Sequence, residues 1–242
     1  MTDPVSRETP PAPAVAQGVF SHTLPTVERY AELLCTEGVV RGLIGPREAP
    51  RIWERHLVNC ALLGTAIEGG VDVCDIGSGA GLPGLVLAIR RPDLEVTLVE
   101  PLLRRTTFLE EVVTSLGLGN VEVVRGRAEE LHGSRDFAVV TSRAVAPLDR
   151  LLRWSMPLVR QGGTLLAMKG SSAQEEIGAA ATELRRRGAG RTEVLTLGAG
   201  VIDPPTTVVR VEATQPSRLG YDVRREGQRR SSRTSRKKGR NT

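Results

Sequence analysis

Cysteine is rare and unpaired. Cys35, Cys60 and Cys74 are odd in number, lie far apart and form no C-x-x-C pair, which excludes a disulfide framework and a cysteine-rich zinc site. All three fall in apolar segments, where buried reduced thiols are expected. No cluster of histidine, cysteine and carboxylates has metal-ligand spacing, so no metal is expected. Long apolar runs are also missing: each breaks well before the roughly 18 residues needed to span a bilayer. The N-terminus shows no charged start leading into an apolar run, which predicts a protein that is not exported. Together these absences point to a cytoplasmic protein without a membrane partner. Aromatic residues make up 3% of the 242 residues.

What is present is globular in character, with 40% apolar and 25% charged residues, enough for one sizeable core. The net charge of +5 is unevenly placed. From Arg218 onward ten basic residues face only Asp222 and Glu226, a local excess of +8 that leaves −3 on residues 1–217. The positive charge belongs to an appendage, not to the folded part.

Residues 1–24, with Pro4, Pro10, Pro11 and Pro13, read as a disordered extension. Thr26 is placed to cap a helix carrying Val27, Tyr30 and Leu34. After Pro50, Trp53, His56, Leu57, Cys60 and Leu63 form one helical stripe. Two helices are thus expected before the first strand. From Val71 strands and helices alternate, with strands predicted at 71–75, 96–99, 121–124, 137–141, 164–168 (entered through Gly162-Gly163), 193–197 and 207–211. The pattern implies an α/β fold, a doubly wound sheet of seven strands with parallel crossovers and a closing hairpin. The folded domain spans 25–215, and 216–242 lacks an apolar stripe and reads as a disordered basic tail.

The most informative stretch is V-D-V-C-D-I-G-S-G-A-G-L-P-G, Val71 to Gly84. Alternating apolar residues lead into glycines 77, 79, 81 and 84, and Leu82, Leu85, Val86 and Ile89 follow at helical spacing. Glycine permits a sharp turn and close ligand approach, and the helix start offers N–H groups to a polar or anionic ligand. Two templates fit. Gly79 to Gly84 is a G-x-G-x-x-G dinucleotide fingerprint. Asp75-Ile76-Gly77-Ser78-Gly79-Ala80-Gly81 resembles motif I of the S-adenosylmethionine (SAM) methyltransferases, in which an acidic residue closes the first strand. A strand ending at Asp75 favours the second.

In such sheets ligands bind at the carboxyl ends of the strands. Those ends supply Asp75, then Glu100 for a ribose diol, Ala128 and Glu129 beside an adenine, Ser142-Arg143, and Lys169-Gly170. An acidic residue at the ribose argues against NADP and leaves NAD and SAM open. The bland alternatives are that Glu100 caps the next helix and that Arg143 and Lys169 are solvated. Absent motifs narrow the acceptor. No [DN]-P-P-[FYW] follows the fourth strand, as in enzymes that methylate exocyclic amines, and no Pro-Cys pair offers a nucleophile. Transfer to an atom already nucleophilic fits, such as guanine N7 with its in-plane lone pair, by proximity and alignment with a nearby arginine tuning the base.

The ordered set Arg55-His56-Leu57, Asp75 to Gly84, Glu100 with Arg105-x-x-Phe108-Leu109, Arg127-Ala128-Glu129-Glu130, Ser142-Arg143-Ala144 and Lys169-Gly170 resembles the bacterial 16S rRNA methyltransferase G family, also called glucose-inhibited division protein B. The resemblance covers about residues 25–210. It implies a seven-stranded Rossmann-like methyltransferase sheet and transfer of methyl from SAM to guanine N7 of 16S rRNA, on the small ribosomal subunit or its precursor. It implies donor contacts at Gly77, Leu82, Ala128, Glu129 and Arg143, and RNA contacts at Arg143 and Lys169; the glycine loop and strand ends by themselves add Asp75, Gly79, Gly81 and Glu100 to the donor side and place Arg143 between donor and guanine. The family's usual arginine before the last strand is replaced by Thr206-Thr207, with Arg210 a poor substitute.

On charge alone the tail, including Arg233, Arg236, Lys237 and Lys238, would hold RNA phosphates by counterion release. Tyr221 is its only aromatic, so base stacking is not its device. A monomer is expected. The rival readings are a small-molecule SAM methyltransferase with an incidental tail, an NAD-dependent oxidoreductase, and a silent RNA-binding subunit. His132, the only histidine after the glycine loop, is a poor proton relay for the oxidoreductase.

Overall fold

The structure, a computed structural model, describes residues 9–214. Seven strands form one sheet: β1 (Asp72–Ile76), β2 (Glu95–Glu100), β3 (Val121–Arg125), β4 (Phe137–Arg143), β5 (Val159–Lys169), β6 (Ala189–Leu197) and β7 (Thr206–Ala213). Their spatial order is β3-β2-β1-β4-β5-β7-β6. Strands β1 to β5 pair in parallel, and β7 inserts antiparallel between β5 and β6. The chain reverses its direction of travel across the sheet at the β1/β4 boundary, where such sheets open a ligand crevice.

Alternation along each strand sends side chains into two cores. Val73, Leu98, Leu166 and Met168 face one core with α4 (Gly84–Arg90) and α5 (Leu103–Leu116). Cys74, Ile76, Leu165 and Ala167 face the other, with α6 (Leu148–Ser155), α7 (Ala173–Ala179) and α8 (Ala181–Arg186). The first core also takes the N-terminal helices. The three cysteines are buried and unpaired with one another. Among the described residues no helix is long and apolar enough to cross a membrane.

The structure corrects several expectations. Residues 9–24 are not a disordered extension. α1 (Ala14–Phe20) buries Ala16 and Phe20, and the Trp53 indole N–H donates to the Pro10 carbonyl at 2.7 Å, so a core tryptophan anchors the proline-rich stretch. Three helical segments therefore precede β1: α1, α2 (Leu24–Leu33) with its wide-turn continuation Leu34–Gly38, and Ile52–Val58 running into α3 (Asn59–Leu63). Thr26 is no cap, because α2 starts earlier, with Pro25 in its first turn; Thr23 precedes it and donates to the Phe20 carbonyl. Gly162-Gly163 lies inside β5, not at its entry. Gly162 takes φ +82°, and a Cβ on Gly163 would sit 2.5 Å from the Ala138 carbonyl oxygen, where the β4–β5 register shifts. β1 ends at Ile76, one residue beyond Asp75. Residues 1–8 and the basic tail, with Arg233, Arg236, Lys237 and Lys238, lie outside the described residues.

Candidate functional site

β1 delivers the chain to a loop whose glycines are each required differently. Gly77 takes φ +68°, and a Cβ there would meet Val145 Cγ2 at 2.9 Å. Gly81, at φ +97°, has Leu85 and the Tyr30 hydroxyl in the space a Cβ would need. Asp75, fully buried, faces back under this loop, where its Oδ2 accepts the Gly84 N–H at 3.0 Å. The Ser78 hydroxyl donates to the Asp75 carbonyl at 2.8 Å. Burial pushes the Asp75 carboxyl up to about 7, opposed by the Gly84 N–H, and its Oδ1 has no partner among the described residues.

This arrangement changes the meaning of the helix start. The Gly84 N–H is spent on Asp75, and the Leu85 N–H goes to the Gly81 carbonyl. A pyrophosphate, as a dinucleotide would bring, thus finds the amide taken and a buried carboxyl behind it.

A cleft of about 700 Å³ opens over the loop. Gly77, Gly79, Leu82, Glu100, Ala128, Glu129 and Arg143 all line it, drawn from the ends of β1, β2, β3 and β4. Asp75 and Gly81 do not. They shape the cradle from behind, where burial and close packing hold them. Glu100, 1% exposed, accepts the Gly79 N–H at 3.0 Å and the Leu102 N–H at 3.1 Å. Glu100 therefore ties the glycine loop to the entry of α5 while it lines the cleft.

A second cavity, of about 800 Å³, lies alongside and includes Asn59, Met168, Lys169 and Gly170. Glu48, His56, Arg143, Ala144 and Val145 border both spaces. Arg143 closes β4 and donates to His56 Nδ1, to the Cys60 sulfur at 3.3 Å and to the Arg55 carbonyl at 3.5 Å. Ala144 follows at φ +55°, an uncommon conformation for a residue with a side chain. Such residues concentrate at functional turns. Burial, reinforced by the Arg143 charge, lowers His56 to about 4.

Lys169 borders the second cavity, but its ammonium donates to Glu176 and to the Ala146 carbonyl, at 2.8 and 2.7 Å. Glu176 also accepts the Leu148 N–H, so this pair fixes the loop that follows Arg143. Arg210 pairs with Glu193 and Glu212 and lines neither space. Sequence reasoning placed Tyr30 on a helix face but missed its part in the site, where its hydroxyl donates to the Ala80 carbonyl at 2.6 Å, and it missed Glu48 and Val145. The Arg55-His56-Leu57 triplet was the one signal that the N-terminal helices reach the site.

The fold is shared with solved structures at low identity. A SAM-dependent O-methyltransferase from Thermotoga maritima aligns with a TM-score of 0.51 at 14% identity, covering 65% of each chain. A ribosomal protein L11 methylase from Lactobacillus delbrueckii aligns at 0.50 and 11% identity, covering 66% of this chain and 79% of that one. Sequence relatives are much nearer. A ribosomal RNA small subunit methyltransferase G from Nocardioides is 64% identical over 224 residues, 92% of this chain and 90% of the relative. Its counterpart from Streptomyces avermitilis is 55% identical over 233 residues, 96% of this chain and 98% of the relative. A family profile described as GidB, rRNA small subunit methyltransferase G, matches residues 23–202. Matched by that profile over most of its length and by relatives at 55–64% identity, the chain belongs to the rRNA small subunit methyltransferase G family.

Proposed function

We propose that this protein transfers a methyl group from SAM to N7 of a guanine in 16S rRNA, acting on the small ribosomal subunit or its precursor. Beside family membership, one observation carries the reading: Arg143 stands in the wall shared by the glycine-loop cleft and a second cavity. That is the layout two substrates meeting at one point require. SAM supplies an electrophilic methyl group on a sulfonium, and guanine N7 attacks it with a lone pair that needs no prior deprotonation.

The chain's own residues suit that task. Neither His56 nor Glu48 stands free as a general base, since each is hydrogen-bonded to the other. Gly77, Gly79 and Leu82 line the donor side, with Glu100 at the ribose position and Ala128 and Glu129 at the adenine position. Arg143 acts by alignment, because its positive charge opposes the cation forming on the base and cannot itself promote it. Lys169 holds the loop over the acceptor side. The segment 218–242 gathers rRNA phosphates without regard to sequence, and the protein works as a monomer in the cytoplasm.

Mass mapping of 16S rRNA from cells lacking the gene tests the proposal. Loss of one N7-methylguanosine, restored by the purified protein and SAM, is the expected result. An unchanged map would overturn it.

A further inference from the structure

Arg143 is gripped from behind by the N-terminal helical layer, and the grip has a defined chemistry. His56 lies 87 residues earlier in the chain and presents Nδ1 to the Arg143 guanidinium. Its Nε2 lies 2.8 Å from Glu48 Oε2. A guanidinium can only donate, and an ionised carboxylate can only accept. The imidazole must therefore carry its proton on Nε2 and offer the Nδ1 lone pair to Arg143. Glu48 sets that tautomer, as a partner on one ring nitrogen sets the role of the other. The Cys60 sulfur and the Arg55 carbonyl complete the grip on Nη1.

We propose that Glu48 and His56 are positioning residues that hold the Arg143 guanidinium in the wall between donor cleft and acceptor cavity. The inference rests on the methyltransferase reading of those two spaces. A free arginine side chain samples many rotamers. Here three acceptors from one helical layer select a single orientation before either substrate arrives. The remaining guanidinium N–H groups then point at a fixed place, where a small displacement of a reacting group costs rate steeply. The N-terminal helices thus belong to the catalytic apparatus as well as to the core.

The test uses the full chain, tritiated SAM, and small subunits from cells lacking the gene. His56→Phe removes both hydrogen bonds, and His56→Gln places its polar group at the Nε2 end. Each is expected to lower kcat by about 10- to 100-fold, with the calorimetric Kd for SAM nearly unchanged. His56→Asn, which can set an oxygen near the Nδ1 position, should recover part of the loss. Full kcat in His56→Phe would overturn the proposal, as would a loss seen only in Kd or in unfolding. Nitrogen NMR of the imidazoles gives a second readout. His56 should show a protonated Nε2 and a bare Nδ1, and the opposite tautomer overturns the relay. If the wild-type protein transfers no methyl group, the functional reading fails instead, and the NMR result alone decides the relay.

Discussion

The Asp75 carboxylate and the Gly84 amide, nine residues apart, meet at 3.0 Å and clasp the glycine loop shut. The clasp stiffens the cradle and removes the amide that an anionic ligand would have used. It also demands glycine at 84, since a Cβ there would collide with Leu98 Cδ2 and lie 2.8 Å from Asp75 Oδ2.

Gly84→Ala should therefore destabilise the fold by about 1–3 kcal/mol through overpacking. Urea denaturation gives the number. Gly84 lines neither cavity, so a protein of unaltered stability with lost SAM binding would contradict this account.

Two buried groups should give opposite pH slopes. Asp75, raised to about 7, keeps a proton in the folded chain that the unfolded chain has released above pH about 4. The folded state binds more protons there, so this contribution falls as pH rises through 7, by up to about 1.4 kcal/mol per unit. His56, lowered to about 4, stays neutral where the unfolded chain is protonated. Its contribution is full above pH about 6.5 and is lost as pH falls towards 4. Between pH 5 and 6.5 the two offset each other. Asp75→Asn should make stability rise with pH across that window, and His56→Gln should make it fall. Parallel profiles in both variants and the wild type would refute the assignment.

Arg143→Ala should abolish methyl transfer while the protein still folds, because the arginine sits on the rim of two cavities and leaves the cores intact. Arg143→Lys should rescue little, since one ammonium cannot reproduce the planar fork that reaches His56 Nδ1 and the Cys60 sulfur together. Turnover within a few-fold of wild type in either variant would remove Arg143 from the mechanism.

Tyr30→Phe strips the Ala80 carbonyl of its 2.6 Å partner in a buried setting, an expected loss of about 1–3 kcal/mol in stability. The loop should also loosen, so SAM should bind more weakly by calorimetry. A variant matching wild type in both measurements would show the hydrogen bond to be dispensable.

Lys169 and the basic tail should separate in a salt titration. Lys169 is already paired with Glu176, so Lys169→Met should cost stability and leave the salt slope of rRNA binding unchanged. Deleting 218–242 should lower that slope by about 0.7 for each single-stranded RNA phosphate that the tail had neutralised. Equal effects of the two changes would place Lys169 on the RNA.

Much of the fold was legible because strand alternation, helical stripes and glycine punctuation are local. The seven strands were found with edges off by a few residues, and Glu100, Ala128, Glu129 and Arg143 at or just past their carboxyl ends share one cleft, while Asp75 lies beneath it and Lys169 borders the second cavity. α1 escaped because prolines flank a short, weakly patterned segment, and its order comes from Trp53 reaching Pro10 across 43 residues. The place of β7 between β5 and β6 was equally hidden, since nothing local distinguishes an inserted strand from an edge strand.

The sequence by itself determined that a glycine loop follows β1, that an acidic residue stands before it, and that Arg143 closes β4. Those properties depend on residues close together in the chain. Only the tertiary structure decided that Asp75 serves the loop from beneath, that Lys169 is spent on Glu176, and that His56 turns Arg143 into a fixed wall. Each of these depends on which donor meets which acceptor after distant segments pack, and burial then makes every such pairing obligatory.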